Sequence, residues 1–356
     1  MVPAPMPPHA TDRHSTPPGV LLINLGTPDS PAVADVRRYL REFLLDPYVI
    51  DLPTPLRYAL VYGLILPFRP RKSAAAYRKV WTERGSPLRF HGEDLLAKLQ
   101  DQSLWQQVPG SIALAMRYGN PSIEAAFGQF ERAGIQHVRV FPMFPQYSES
   151  AWQTAVEACA AAAARRGMHT SNTPPFYAEP CYLDALAEVT ARHLRACDPE
   201  RVLMSFHGLP ERHIHRSDAS ASGHCLRQPG CCDAIVAANR NCYRAHCFAT
   251  ARGLAQRLEL ADDTWEVSFQ SRLGRTPWIQ PFTDHRIPEI AAAGCRRLAV
   301  VCPSFVADCL ETVEEIGIAA AQSFQEHGGE ELSLIPALNS DPAWAKVVAE
   351  LVEAAD

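Results

Sequence analysis

Short apolar runs alternate along the chain with longer stretches in which apolar residues recur every three or four positions. The short runs are typical of buried strands, and the longer periodic stretches are typical of amphipathic helices. Their alternation predicts an α/β fold in which helices join parallel strands. The predicted strands cover residues 19–25, 48–52, 112–116 and 137–143 in the first half, and 168–173, 201–206, 264–270 and 298–302 in the second.

Two sets of four strands predict two similar doubly wound domains, each a four-stranded parallel sheet flanked by helices. We place the boundary after residue 147, so that the domains cover residues 19–147 and 148–356. Residues 1–18 are rich in proline and polar residues, and we expect a disordered lead-in there. A final helix at 341–354 is expected to return and pack on one of the two domains.

The 356-residue chain has the composition of an ordinary globular protein, with 47% apolar residues, 21% charged residues and a formal net charge of −5. This balance argues against nucleic-acid binding. Because no apolar run is long enough to span a bilayer and no secretory signal is evident, we expect a cytoplasmic protein. The sequence "NLGTP" lacks a GxGxxG motif, and no G-x-S-x-G motif occurs, which argues against a nucleotide cofactor and a serine hydrolase.

His207 follows the apolar run 202–206 directly, in the sequence "VLMSFHGLPERHIHRSD". Gly208 and Pro210 interrupt the strand after it, so the imidazole is expected at the carboxyl end of a buried strand. Ligands bind at this edge of parallel sheets, which makes His207 a candidate site residue. A histidine with a purely structural role is the alternative interpretation.

A second candidate segment, "VCPSFVADCLETVEEIG", covers residues 301–317 and also begins as a strand. Its pattern becomes helical at residue 307, and Glu311 and Glu315 lie four residues apart on one helix face. A solvated acidic face is the alternative, but a helix that starts at a strand end should direct its first turns toward the cleft. An imidazole opposite carboxylates suits transient binding of a divalent metal or the transfer of substrate protons.

Three further stretches carry aromatic and cationic side chains near strand ends: "MRYGNP", "AYRKVWTERGSPLRF" and "FQSRLGRTPWIQPFTD". Such residues together predict a cleft for a flat, partly apolar ring with peripheral carboxylates. Trp278 could equally fill the interface between the domains. The candidate residues are Tyr77, Arg78, Lys79, Trp81, Arg117, Tyr118, Arg272, Arg275 and Trp278.

Eleven cysteines are many for a protein of this size, and five of them cluster in the segment 223–248, which contains the pattern C-x5-C-C-x9-C-x4-C. In a reducing compartment this clustering indicates metal or cluster binding rather than disulfides, with inert core cysteines as the alternative. Four thiolates suit either a 2Fe–2S cluster or a structural zinc ion. The five residues are Cys225, Cys231, Cys232, Cys242 and Cys247.

Six segments, in this order along the chain, resemble those of ferrochelatases, the enzymes that insert ferrous iron into a porphyrin. The resemblance covers nearly the whole chain from Gly19 and implies a class II chelatase-like fold of two Rossmann-like domains around a porphyrin cleft. It also implies Fe2+ as a substrate and no nucleotide cofactor. The segments are "GVLLINLGTPDS", "DVRRYLREFLLDPYVIDLP", "RYGNPS", "SFHGLPERH", "FQSRLGRTPW" and "CPSFVADCLETVEEI".

The resemblance also implies roles for the candidate residues. His207 is expected to be a base for the pyrrole N–H protons or a ligand of the incoming iron, and both roles stay open. Glu311, which matches the site glutamate of the family, and Glu315 are expected to relay protons or metal, with Glu311 and His207 contacting the substrate iron. Many ferrochelatases carry a histidine two residues before the site glutamate, where this chain has Cys309. The residues expected to form the cleft wall and to contact the propionates are Tyr77, Arg117, Tyr118 and Trp278.

The implied activity is that of a lyase-type metal chelatase that inserts Fe2+ into protoporphyrin IX, giving protohaem and two protons, as the last step of haem biosynthesis. The alternatives are insertion into coproporphyrin III, cobalt or nickel insertion into another tetrapyrrole, and a tetrapyrrole carrier without catalysis. The expected partners are a porphyrin and ferrous iron, and any membrane contact is expected to be peripheral. The chain is expected to be a monomer or a homodimer.

The cysteine segment resembles an internal insertion that some ferrochelatases use to hold a 2Fe–2S cluster. This resemblance favours the cluster over zinc. Five thiols are available for the four ligand positions of a cluster. Cys231 and Cys232 are adjacent and compete for one position, and Cys247 is the cysteine most easily explained by packing alone. The expected ligands are Cys225, Cys232, Cys242 and Cys247.

Overall fold

The computed structural model describes residues 18–101, 111–221, 223–272, 274 and 276–354. In these residues the chain forms two four-stranded sheets, and every strand pairing within them is parallel. Helices flank both sheets, so the predicted fold class is confirmed. The expected lead-in lies outside the described residues, apart from residue 18.

The first sheet has the strand order β2-β1-β3-β4. Its strands are β1 (Gly19–Thr27), β2 (Ile112–Gly119), β3 (His137–Pro142) and β4 (His169–Asn172). The accompanying helices are α1 (Val33–Leu44), α2 (Thr54–Leu60), α3 (Leu66–Val80), α4 (Pro87–Gln100), α5 (Ile123–Arg132) and α6 (Thr154–Ala164). Two π-helical segments, Val61–Ile65 and Glu149–Gln153, lead into α3 and α6.

The second sheet has the order β6-β5-β7-β8. Its strands are β5 (Arg201–His207), β6 (Trp265–Gln270), β7 (Arg297–Val301) and β8 (Glu331–Leu334). The helices are α7 (Pro180–Cys197), α8 (Glu211–Arg216), α9 (Tyr243–Arg257), α10 (Thr283–Ala292), α11 (Ala321–Glu326) and α12 (Pro342–Glu353). A 3-10 turn covers Ala237–Asn239, and a π-helical segment, Glu311–Ala320, precedes α11.

The strand predictions need three corrections. Residues 48–52 form a turn that Asp46 stabilises with two hydrogen bonds. The Asp46 carboxylate accepts the backbone N–H of Tyr48 at 2.7 Å, and the backbone carbonyl of Asp46 accepts the N–H of Ile50. The strand predicted at 168–173 does not belong to the second sheet, because β4 pairs with β3. The fourth strand of the second sheet is β8, which the sequence pattern did not reveal. The first sheet therefore extends beyond the boundary that we expected after residue 147.

One apolar core reaches across both sheets. It joins Leu22 of β1 to Met204 of β5 and includes Trp344 of α12. The Trp344 ring is fully buried against Phe141 and Phe176. The C-terminal helix α12 packs on α7 and α4, which confirms its expected return to the body of the protein. None of the described helices is both long and apolar enough to cross a membrane.

Candidate active site

His207 is the last residue of β5, which lies between β6 and β7. Its backbone N–H donates to Ser304 Oγ at 3.1 Å, and this bond holds the strand end against the loop after β7. Nδ1 of the half-buried ring lies 2.6 Å from the carbonyl oxygen of Gly208. Because a carbonyl oxygen only accepts, the neutral ring carries its hydrogen on Nδ1 and keeps Nε2 as the basic nitrogen.

Trp278 lies against the loop that follows His207. A Cβ atom on Gly208 would come within 3.3 Å of the Trp278 ring and within 2.8 Å of the Gln270 carbonyl oxygen. The backbone of Trp278 pairs with Pro210 in an antiparallel bridge. The structure thus brings Trp278 close to His207, as the sequence predicts, and Gly208 is required for this close approach.

The acidic segment begins as a π-helix rather than the predicted α-helix. Its wider i→i+5 hydrogen bonding covers Glu311–Ala320, and such segments occur frequently at functional sites. Glu314 forms an ion pair with Lys79 of α3 at 2.8 Å. Asp308 accepts hydrogen bonds from Thr312 and Asn339, so it has a structural role at the start of the segment.

Glu315 is held at the carboxyl end of β6. Its carboxylate accepts the backbone N–H of Ser271 at 2.7 Å and the Ser271 hydroxyl at 2.5 Å, with Gln270 Nε2 at 3.4 Å. Burial raises the pKa of Glu315, while the Ser271 hydrogen bonds and a positive charge on His207 lower it. His207 and Glu315 are therefore close enough for the charge of one to affect the protonation of the other.

Glu311 begins the π-helical segment, on the side of the site that is nearer the first sheet. Its carbonyl oxygen accepts a hydrogen bond from Gln270 Nε2 at 2.8 Å. Burial raises the pKa of Tyr39 and of Tyr77, and the negative charge of Glu311 raises both further. The negative charge of Glu311 is therefore close enough to α1 and α3 to affect these two buried tyrosines.

Tyr77 is buried on α3 beside other aromatic rings. It meets Tyr39 edge-to-face at 6.5 Å and Trp81 at 6.2 Å between ring centroids. Leu310, which precedes Glu311, packs on the same cluster. The structure therefore brings Tyr77 to the acidic segment, as expected, although little of its own surface is open to a ligand.

Arg117 and Tyr118 are tied to Asp46 rather than to the histidine. The Asp46 carboxylate accepts from Arg117 at 2.5 Å, from the Tyr118 hydroxyl at 2.8 Å and from Thr154 Oγ1 at 2.7 Å. Arg117 also donates to the Thr154 carbonyl, and its guanidinium lies over the Tyr118 ring. Tyr118 is fully buried, so the structure places it in the core rather than on a cleft surface.

The remaining cations of the predicted wall have mixed surroundings. Arg272 pairs with Asp284 at 2.8 Å and lies over the ring of Phe282. Arg275 falls outside the described residues. The stretch "FQSRLGR" was singled out for its two arginines, whereas the residues that bind Glu315 are Gln270 and Ser271. Their position could have revealed them, because both residues directly follow the apolar part of β6, at the strand end where ligands bind.

All five clustered cysteines are buried. The Sγ atoms of Cys231 and Cys232 are 3.8 Å apart, and Arg244 Nη1 lies 3.1 Å from Cys232 Sγ. Burial raises the pKa of Cys225, and a hydrogen bond with the Cys242 thiol lowers it in part. The net result is a pKa of about 11. A hydrogen bond with Cys242, and then burial, raises the pKa of Cys232. These contacts link Cys225, Cys232 and Cys242 in one thiol cluster.

The thiol cluster is not arranged around a common centre. Across the described ranges we find no group of three or more His, Cys, Asp or Glu side chains with the geometry of a metal site. Cys247 lies beside Tyr243, and burial raises its pKa strongly. The donor types fit iron–sulfur chemistry, since thiolates are the usual ligands of such clusters.

Comparison with known proteins gives a consistent result. A family model described as "Ferrochelatase" matches residues 17–356. The chain belongs to the ferrochelatase family. A ferrochelatase of Azotobacter vinelandii is 48% identical over 342 residues, covering 93% of this chain and 97% of that protein. A ferrochelatase of Pseudomonas fluorescens (strain Pf0-1) is 47% identical over 339 residues, covering 94% and 97%. Among solved structures, SirB from Bacillus subtilis with Fe3+ has 14% identity and a TM-score of 0.49, covering 76% of this chain and 92% of that one.

Membership of the ferrochelatase family makes this protein a metal chelatase of porphyrin biosynthesis, with ferrous iron and a porphyrin as its substrates. The family resemblance seen in the sequence is thereby confirmed. Cys309, at the position where many ferrochelatases have a histidine, is buried, and burial followed by the charge of Glu311 raises its pKa strongly. A neutral thiol there accepts no proton at neutral pH.

We expect the change Glu315→Gln to remove a pH dependence from folding stability. Burial raises the folded-state pKa of Glu315 above 4.5, so its contribution to stability is fully present below that pH and is lost as the pH rises through the raised pKa. The free energy of unfolding of the wild type, relative to the variant, should fall over this range in urea titrations between about pH 4 and about pH 8. Glu314→Gln serves as the control, and a constant difference for Glu315→Gln would contradict the assignment.

Proposed function

We propose that this protein inserts Fe2+ into protoporphyrin IX, giving protohaem and two protons. The observation that carries the proposal is the meeting of His207 with Glu315 at the carboxyl ends of the adjacent strands β5 and β6. An imidazole with a basic Nε2 beside a buried carboxyl group whose pKa is raised suits a reaction that releases protons. A carrier that only binds a tetrapyrrole needs no such pair.

The proton balance gives each residue a role. A free porphyrin carries two pyrrole N–H groups, and two protons must leave as the iron–nitrogen bonds form. His207 Nε2 accepts the two pyrrole protons of the porphyrin one after the other and passes each to Glu315, which releases it to solvent. Burial makes this carboxylate a better proton acceptor than an exposed one. Ser271 holds the Glu315 carboxylate toward the histidine. Glu311 contacts the incoming iron on the side that faces α3.

Two observations support protoporphyrin IX over coproporphyrin III. The segment that leads into α3, the helix of Tyr77, exposes several large apolar side chains, which suits the porphyrin with fewer carboxylates. The cysteine segment also resembles that of ferrochelatases in the protoporphyrin branch. Trp278 forms the apolar wall, and Tyr77 supports the acidic segment from the aromatic cluster beneath it.

The test is anaerobic haem formation from Fe2+ and each porphyrin, followed by absorbance. Wild-type protein should have the higher kcat/KM with protoporphyrin IX, and His207→Ala should lower kcat by about a hundredfold or more, the usual contribution of a general base. Porphyrin binding, measured by fluorescence quenching, should persist in His207→Ala. The exposed His215→Ala is the matched control.

Three results would contradict the proposal. Full metalation by His207→Ala would remove the proton-acceptor role. A preference for coproporphyrin III would overturn the choice of substrate. Wild-type protein that binds porphyrin without metalating it would leave a carrier as the function.

We also propose peripheral contact with an anionic membrane surface. Of the nine large apolar side chains exposed in the described part of the chain, six lie between Leu52 and Phe68, and Leu64 and Phe68 are 60% and 71% exposed. A cavity of about 330 Å³ beside them is lined by Tyr62 and by three arginines of α1. Apolar groups next to cations match the interface of an anionic bilayer. The arginines are Arg37, Arg38 and Arg41.

The double variant Leu64→Ser with Phe68→Ser should lose most binding to vesicles, because each change removes a large apolar group from the contact. Co-sedimentation with vesicles of phosphatidylglycerol and phosphatidylcholine measures this loss, and vesicles of phosphatidylcholine alone should bind the wild type weakly. Ile235→Ser with Val236→Ser changes two other exposed apolar residues and should bind like the wild type. Equal sedimentation of both double variants would contradict the membrane contact.

The cysteine segment is proposed to hold a 2Fe–2S cluster with a structural or sensing role. Thiolates of Cys225, Cys232, Cys242 and Cys247 are the proposed ligands, and the cation of Arg244 beside Cys232 favours its thiolate form. Bound iron and sulfide would cross-link the segment through metal–thiolate bonds, which stabilise it more than its hydrogen bonds alone. Clustered thiols of this kind persist in a reducing compartment, which supports a cytoplasmic location.

Anaerobically purified protein should absorb in the visible range and contain iron and acid-labile sulfide in equal amounts. Cys242→Ser should abolish this absorbance, because Cys242 contacts both Cys225 and Cys232. The control is Cys159→Ser, a buried cysteine on α6 far from the segment in sequence. Bound zinc without sulfide would replace the cluster by a structural zinc site, and a metal-free protein would contradict both.

A further inference from the structure

A compact group of charges joins α8 to the first-sheet side of the molecule. Arg212 Nε donates to both carboxylate oxygens of Asp51 at 2.8 Å, and Arg216 Nη1 donates to Asp51 Oδ2 at 2.8 Å. The second terminal nitrogen of Arg216 pairs with Glu149. Asp51 lies just before α2, and Glu149 opens the π-helical segment before α6. One short helix is thus held at two points of the other half of the protein.

The central carboxylate is well shielded. The side chain of Asp51 is 13% exposed, and the buried ring of His213 lies 3.6 Å from it. Burial opposes ionisation of Asp51, but hydrogen bonds and charges from Arg212 and Arg216 hold its pKa below the usual value. Removing the arginines would be costly, because the Asp51 carboxylate would then stay partly buried without a cationic partner.

The helix that receives these contacts is directly connected to the active site. α8 begins four residues after His207, and a Cβ atom on the intervening Gly208 would lie 3.3 Å from the Trp278 ring. The backbone N–H of Glu211 donates to the Pro277 carbonyl, and the N–H of Ile279 donates to the Leu209 carbonyl. Movement of α8 would therefore carry the His207 loop and the Trp278 loop together.

We infer that Asp51, Arg212 and Arg216 form a latch that holds the His207 and Trp278 loops against the first-sheet side of the porphyrin cleft. The inference rests on the proposed porphyrin cleft, because the latch acts on the residues that line it. Asp51, Arg212 and Arg216 are positioning residues in this arrangement. When the latch opens, the cleft widens for entry of the porphyrin or release of the metalated product.

Asp51→Asn and Arg216→Gln test the latch in a double-mutant cycle. Each change should raise the KM for porphyrin about tenfold and speed haem release, while the KM for Fe2+ stays unchanged. Because both residues belong to one contact, the double variant should be little worse than either single variant. Arg216→Lys keeps the charge and should recover part of the loss. Arg286→Gln removes an arginine that pairs with Glu266 within the second-sheet side and should leave both KM values unchanged.

Hydrogen exchange supplies a readout that does not depend on chelatase activity. Backbone amides of residues 208–217 should exchange faster in Asp51→Asn and Arg216→Gln than in the wild type, whereas those of α12 should not change. Unchanged exchange in both variants would overturn the latch. Faster exchange with an unchanged porphyrin KM would reduce the group to a structural ion pair and overturn its positioning role. Failure of wild-type protein to metalate porphyrin would instead remove the proposed function, and the exchange result would still decide whether the latch exists.

Discussion

The parallel order of the second sheet is the constraint on which the site depends. Because β6, β5 and β7 run in the same direction, their carboxyl ends meet at one edge, and His207 lies in register with Gln270. The loops that follow must then share this edge. The strand ends bring together an imidazole, the hydroxyl of Ser304 and the donors of Ser271 that hold Glu315. Each of these contacts joins residues that are far apart in sequence.

The electrostatics of the site follow from burial at this edge. A carboxylate removed from water needs donors, and Glu315 obtains them from the backbone and side chain of Ser271. These donors fix the position of the carboxylate without neutralising it. Glu314, one residue earlier, pairs instead with the exposed Lys79 of α3. The π-helical segment thus directs one carboxylate to a cation of the first-sheet side and the other to the strand end beside His207.

The sequence predicted the fold class and the position of His207 at a strand end, because apolar runs and strand-end positions are local signals. It failed at 48–52, where a β-like apolar run is folded into a turn by the Asp46 side chain. It also failed to place β4, whose sequence "HTSN" contains no apolar residue and whose partner is decided by tertiary pairing. Tyr118 sits at a strand end as predicted, but its hydroxyl finds Asp46, a partner distant in sequence, and the ring is buried.

Gly208 limits how this cleft can be redesigned. With the Gln270 carbonyl on one side and the Trp278 ring on the other, no side chain fits at position 208. Variation in the size of the bound ring would therefore have to come from the opposite side, where α3 lies. A library that randomises the helix could widen the specificity of the enzyme, whereas one that randomises the histidine loop would mostly yield misfolded protein.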